Sequence, residues 1–133
     1  MEHVDPESVS VELRRHLLEP LHVGESSGPG ARTVIARNDV CGDVLELSGR
    51  FDATGGLELR FRARGCWAVS TVASLLCERG AGASAAEARA LRAVDLVERA
   101  GGLPRSRAHA AKLADRALAD LLHALLPGEG APG

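Results

Sequence analysis

Near Gly65 the hydrophobic period of the chain switches from two to helical, and that switch constrains its fold more than any other feature. From Ala31 to Gly65 apolar and polar residues alternate, as in Leu45-Glu46-Leu47 and Leu57-Glu58-Leu59-Arg60-Phe61-Arg62. A period of two belongs to strands that bury one face. Strands are expected over Thr33–Arg37, Val44–Phe51 and Leu57–Ala63, separated by the turn-forming Asn38-Asp39 and Thr54–Gly56. Connections this short leave no room for crossover helices, so the strands read as an antiparallel meander with one face covered.

After Gly65 the chain becomes Ala-rich with helical spacing. Val69, Val72, Ala73 and Leu76 share one side of a helix over Trp67–Arg79, which stops at Gly80. Ser84 and Glu87 form a capping box for a second helix that runs to Gly101-Gly102. Ser106 is the expected cap of a third helix, with Leu113, Ala117, Leu121 and Leu125 every four residues. Ahead of the strands, Val9, Leu13, Leu17 and Leu21 mark a short amphipathic helix disturbed by Pro20, and Gly24–Gly30 is a loop. The expected fold is α+β: an N-terminal helix, a three-stranded antiparallel sheet, and three C-terminal helices on one sheet face. Its 133 residues fit one domain spanning 1–133, with 1–7 and 127–133 frayed.

Composition narrows the function. Sixteen Lys and Arg against eighteen Asp and Glu give a net charge of −2, not the basic excess of nucleic-acid binders. With no Tyr, two Phe and one Trp, base-stacking surfaces are almost excluded. The apolar runs fall far short of the ~20 residues that span a bilayer, and the acidic N-terminus lacks the pattern of a signal peptide. A cytoplasmic chain with no membrane partner is expected. Three cysteines, an odd number, argue against a disulfide scaffold and turn attention to metal or sulfur chemistry.

Cys41-Gly42-Asp43 sits where a turn meets the second strand. Residues two apart on an extended chain project to the same side, and the glycine lets backbone approach a bound group. Thiolate and carboxylate both ligate divalent metals, although the tripeptide alone reads first as a buried, inert Cys beside a solvated turn Asp. Cys66 follows Gly65 at the start of a helix, where unsatisfied N–H groups and the dipole lower a thiol's pKa. Cys77 lies eleven residues further, about 16 Å along the helix, and reads as a small apolar residue. His109 falls in the first turn of the last helix, on its core side, as a metal ligand or as a hydrogen-bonding residue at a helix start. His16 and His22 flank the end of the first helix, solvated or packed.

In this order the segments resemble the NifU/IscU/SufU family of iron–sulfur cluster assembly scaffolds. The resemblance rests on HLLEPLHVGE (16–25), NDVCGDVLEL (38–47), FRARGCWAVSTVASLLCERG (61–80) and LPRSRAHAAKLADRALADLL (103–122). The short distance from Cys66 to His109 is similar to the IscU branch. The resemblance implies that Cys41 and Cys66 match two cluster-ligating cysteines, that Asp43 matches the acidic residue that ligates metal or governs release, and that His109 matches the histidine before a third cysteine. That third cysteine is replaced by Ala110. Leu103, Pro104 and Arg107 partly match a segment grasped by an Hsp70-type chaperone, while Arg105 and Ser106 replace its apolar middle.

Two thiolates, a carboxylate and an imidazole suit tetrahedral Zn²⁺, and equally iron or a [2Fe–2S] cluster with mixed ligation. The carboxylate exchanges more readily than a thiolate, which makes such a cluster labile. The leading expectation is a non-enzymatic scaffold that takes sulfur from a cysteine desulfurase and serves apo iron–sulfur client proteins. The alternative is a divergent, non-assembling paralogue that binds a desulfurase or client as a regulator. A zinc enzyme is a third class, for which the chain offers no general base. Whether copies of the chain form a homo-oligomer stays open.

Overall fold

Three antiparallel strands in the order β1-β2-β3 form the sheet: β1 (Arg32–Asn38), β2 (Asp43–Phe51) and β3 (Leu57–Arg64). They belong to a computed structural model that describes residues 9–126; the expected fraying of 1–7 and 127–133 lies outside the described residues. Val34 pairs with Leu47 and Leu47 with Phe61, so one face collects the apolar members of all three strands. Leu45, Leu47, Leu57, Leu59 and Phe61 are buried there.

The helices are α1 (Val11–Leu18), α2 (Trp67–Gly80), α3 (Ala85–Ala90), α4 (Ala93–Arg99) and α5 (His109–Leu125), with a 3₁₀ turn over Arg105–Arg107. Helices α2 and α5 cover the apolar sheet face and touch each other, α4 packs on both, and α1 lies on α2. Val69, Val72 and Leu76 meet Leu113, Ala117 and Leu121 in one buried cluster. The α+β architecture is the expected one. Among the described residues no helix is long and apolar enough to cross a membrane.

Three details depart from the sequence pattern. Ser106 lies within the 3₁₀ turn, and α5 begins after Ala108 with no side-chain cap. The single helix expected from Ser84 is two helices, because Leu91 and Arg92 are extended. The Asp115 carboxylate on α5 accepts from Ala93 N–H and, at 3.2 Å, from Val94 N–H. A carboxylate on the first amides of α4 restarts a helix there, and it comes from a residue far along the chain. At the N-terminus, Ser10 caps α1 and the helix closes at Glu19, ahead of Pro20. Leu21 is then outside the helix, with its N–H donating to Ser74 Oγ at 2.8 Å.

That serine belongs to a buried polar link between α1 and α2. His16 is fully buried, with Nδ1 2.6 Å from Ser74 Oγ and Nε2 3.0 Å from Glu78 Oε1. The Glu78 carboxylate can only accept, so Nε2–H of the neutral ring donates to it, and Nδ1 is left to accept from the Ser74 hydroxyl. Burial holds the His16 imidazole below its ordinary value of 6.5, with Glu78 opposing and Arg15 adding to the effect.

The unfolded chain therefore takes up this proton at a higher pH than the folded one. The stability from a neutral His16 is fully present above 6.5 and falls as pH drops through it, levelling once the folded ring protonates. Urea unfolding midpoints measured between about pH 7.5 and about pH 5.5 should decline more steeply for the native chain than for His16→Gln. Equal slopes would remove the assignment.

Candidate metal centre

The candidate ligands come from three connections at one end of the sheet. The β1–β2 turn supplies Cys41, the first residue of β2 is Asp43, the β3–α2 junction supplies Cys66, and α5 opens on His109. Asn38 pairs with Asp43 across the strands and accepts from Gly42 N–H at 2.8 Å, which closes the turn. Gly42 has φ +73, and a Cβ there would meet nothing within 4 Å. Its glycine answers to backbone conformation, not to a close approach. Cys41 lies in the turn and not on an extended strand, so turn geometry, in place of strand alternation, brings it to Asp43.

One ligand atom each from Cys41, Asp43 and His109 falls within 4.8 Å of the others. Cys41 is exposed, Asp43 is 1% exposed and the His109 side chain is a quarter exposed. Asp43 Oδ2 and His109 Nε2 are 3.0 Å apart but off the hydrogen-bonding line, and each is a buried atom with no hydrogen-bond partner among the described residues. A buried carboxylate oxygen facing an imidazole nitrogen, both unsatisfied, leaves lone pairs aimed into one space. A cation there satisfies both, and the soft thiolate beside them suits zinc or iron better than magnesium or calcium.

Cys66 joins from the side. Its backbone N–H donates to Asp43 Oδ1 at 2.8 Å, while its sulfur is not among the atoms that share the 4.8 Å distance. The expectation of a lowered thiol pKa is reversed. Burial pushes the Cys66 thiol up, the N–H groups of Ala68 and Val69 pull it down, and the negative charges of Asp43 and Cys41 add to the rise. The helix start does act on the sulfur, but desolvation and two acidic neighbours outweigh it. Cys77 is fully buried in the core and burial pushes its thiol up to about 12, in keeping with an inert apolar role.

Gly65 is the supporting residue that sequence reading passed over. At φ +109, a Cβ there would sit 2.3 Å from Asp43 Oδ1 and 2.9 Å from Asp43 Cα. Only glycine lets the β3–α2 junction run this close to the carboxylate. Gly65→Ala is expected to displace Asp43 and weaken Co²⁺ or Zn²⁺ binding by about 10–100-fold, the usual cost of losing support behind a ligand. Metal titration with unchanged affinity would show that the carboxylate does not depend on this glycine.

Leu103, Pro104 and Arg107 contribute no atom to the ligand group. Leu103 is half-buried against the core, Pro104 precedes the 3₁₀ turn, and the Arg107 guanidinium lies 5.9 Å from the centre of the Trp67 ring. A second cluster, Glu12, His16 and Glu78, brings ligand-type atoms equally close together. There the partners are taken: Arg79 pairs with Glu12, Arg15 with Glu78, and both His16 nitrogens are bonded. Glu12 and His16 are four apart on α1, whereas Glu78 joins them from α2, which no spacing announces.

Residues 10–125 match the family profile described as the NifU-like N-terminal domain. A bifunctional protein NifU/MnmA of Rubrobacter xylanophilus is 36% identical over 135 residues, covering 94% of this chain. The chain spans only 28% of that relative's length. The iron–sulfur cluster assembly scaffold protein IscU 1 of Archaeoglobus fulgidus is 30% identical over 104 residues, 77% of this chain and 67% of that one. Among solved structures, a SUF-system protein of Fervidobacterium islandicum AW-1 assigned as a cluster-assembly scaffold gives a TM-score of 0.67 at 14% identity, over 90% of this chain and 99% of that one. The N-terminal part of a NifU-like protein from Brucella abortus gives 0.54 at 15% identity, over 86% and 80%. At these identities the two structures share the fold.

Proposed function

Since the chain belongs to the family of NifU-like N-terminal domains, we propose that it is an iron–sulfur cluster assembly scaffold, a carrier and not a catalyst, working as one cytoplasmic domain. Its cargo is iron or a [2Fe–2S] cluster, with Zn²⁺ as an alternative occupant. Cys41, Asp43, Cys66 and His109 are its ligands. Sulfur comes from a cysteine desulfurase, and apo iron–sulfur proteins receive the product. The observation that carries this reading is the convergence of Cys41, Asp43 and His109, with the Asp43 and His109 atoms buried and unsatisfied. A carboxylate among the ligands favours a labile cluster, which suits a protein that gives its cargo away. Anaerobic reconstitution with iron and sulfide should produce a visible charge-transfer chromophore. A colourless protein holding one tightly bound zinc would overturn the assembly role.

Ala110 supports a second reading. It is fully buried beside His109, where the family resemblance places a third cysteine. On that reading the chain binds a desulfurase or client as a regulator and builds nothing. A sulfur-transfer assay separates the two: desulfurase binding without persulfide on Cys41 or Cys66 favours the regulator. The Leu103, Pro104 and Arg107 segment remains the proposed contact for an Hsp70-type chaperone. A peptide of residues 101–108 that fails to bind such a chaperone would remove it.

A further inference from the structure

The end of the molecule that holds the candidate ligands has a charge opposite to that of the whole chain, whose net charge is −2. Two clefts flank the β1–β2 turn and share Arg37. One, of about 350 Å³, is bordered by Asp39, His109, Lys112 and Arg116 together with Arg37. The other, of about 470 Å³, lies on the sheet face away from α2 and α5, against Ile35, Val44, Arg62 and Arg64. Arg62 is held by Glu25 at 3.5 Å and Glu46 at 3.3 Å. Arg37, Arg64, Lys112 and Arg116 are exposed and pair with no carboxylate among the described residues; Arg116 donates instead to the Arg37 carbonyl.

Apolar side chains stand in the same region. Ile35 is 53% exposed and Val40, immediately before Cys41, is 95% exposed. An exposed valine at a turn tip, next to uncompensated cations, offers an apolar anchor within a field that attracts anions.

We propose that this basic, valine-tipped surface docks an acidic segment of a protein partner, which settles over the turn and covers Cys41. Carboxylates answer Arg37, Arg64, Lys112 and Arg116, and an apolar residue of the segment answers Val40 and Ile35. A nucleic acid fits less well. Its charge is continuous, one per about 1.7 Å of duplex, whereas the cations here occupy one end of a chain that is acidic overall. The surface also lacks aromatic rings on which bases stack. Docking requires no cargo, so the metal-free chain is expected to bind, and its failure would leave the scaffold reading standing.

The test uses the metal-free full chain and a fluorescein-labelled peptide of glutamates interspersed with leucines, with a glutamine counterpart as control. Anisotropy should show binding of the glutamate peptide that weakens as salt rises toward ~0.15 M, where the screening length is about 8 Å. Arg64→Glu combined with Lys112→Glu, both exposed side chains, should weaken it at least about tenfold while circular dichroism stays unchanged. Bound peptide should also slow alkylation of Cys41 by iodoacetamide, read by mass spectrometry. Equal binding of the two peptides, an unaffected double variant, an unprotected Cys41, or tighter binding of a single-stranded oligonucleotide would each overturn the proposal.

Discussion

Cys41→Ala and Cys66→Ala are each expected to abolish the chromophore formed with iron and sulfide, whereas Cys77→Ala should leave it intact. The three cysteines have distinct surroundings. Cys41 is exposed at a turn within reach of Asp43 and His109, Cys66 is half-buried at the start of α2, and Cys77 is sealed in the core. Iron bound to thiolate absorbs in the visible through sulfur-to-metal charge transfer, so colour reports the sulfurs directly. Removing a ligand should cost more than the about 10–100-fold lost when only the support behind a ligand is removed. The reduced Cys77→Ala chain is also expected to lose about 1–2 kcal/mol of stability from the small cavity, which separates a core role from a ligand role. Colour retained by Cys41→Ala would remove Cys41 from the ligand set.

Asp43 should show the second large effect, because one buried carboxylate serves two purposes. Oδ1 accepts from Cys66 N–H at 2.8 Å, and Oδ2 faces His109 Nε2 at 3.0 Å. Asp43→Asn keeps an oxygen for the Cys66 amide while removing the charge, so the metal-free fold should persist and metal affinity should drop by at least about 100-fold. Asp43→Ala removes the acceptor as well. It should add about 1–3 kcal/mol of destabilisation to the metal-free chain, the cost of leaving a buried donor unpaired. Isothermal titration with Co²⁺, paired with urea unfolding of the metal-free variants, measures both quantities. If Asn and Ala variants bind Co²⁺ as the native chain does, Asp43 only supports the Cys66 amide.

Much of the fold was legible in the pattern of residues. The three strands begin and end within two residues of their expected bounds, because alternation in Leu57-Glu58-Leu59-Arg60-Phe61-Arg62 admits one buried face only. Ser84 and Pro20 act on neighbours in the chain, so their effects on helix ends could be read locally. The break at Leu91-Arg92 could not, since its cause is a carboxylate on α5. Nor could the bonding of His16, whose partners Ser74 and Glu78 lie on another helix.

The candidate site divides in the same way. Residue type marked which side chains could ligate metal (two thiols, a carboxylate beside a glycine, and an imidazole at a helix start), and the family resemblance singled them out as a set. Sequence alone also determined that Cys77 is too far along its helix to join them. Only the tertiary structure decided that Cys41, Asp43 and His109 meet, that Gly65 must be glycine, and that burial raises the Cys66 thiol against the pull of the helix start. The reason is one of range. Periodicity, capping and turn chemistry act over a few residues, whereas desolvation and convergence depend on which distant segments are packed against one another.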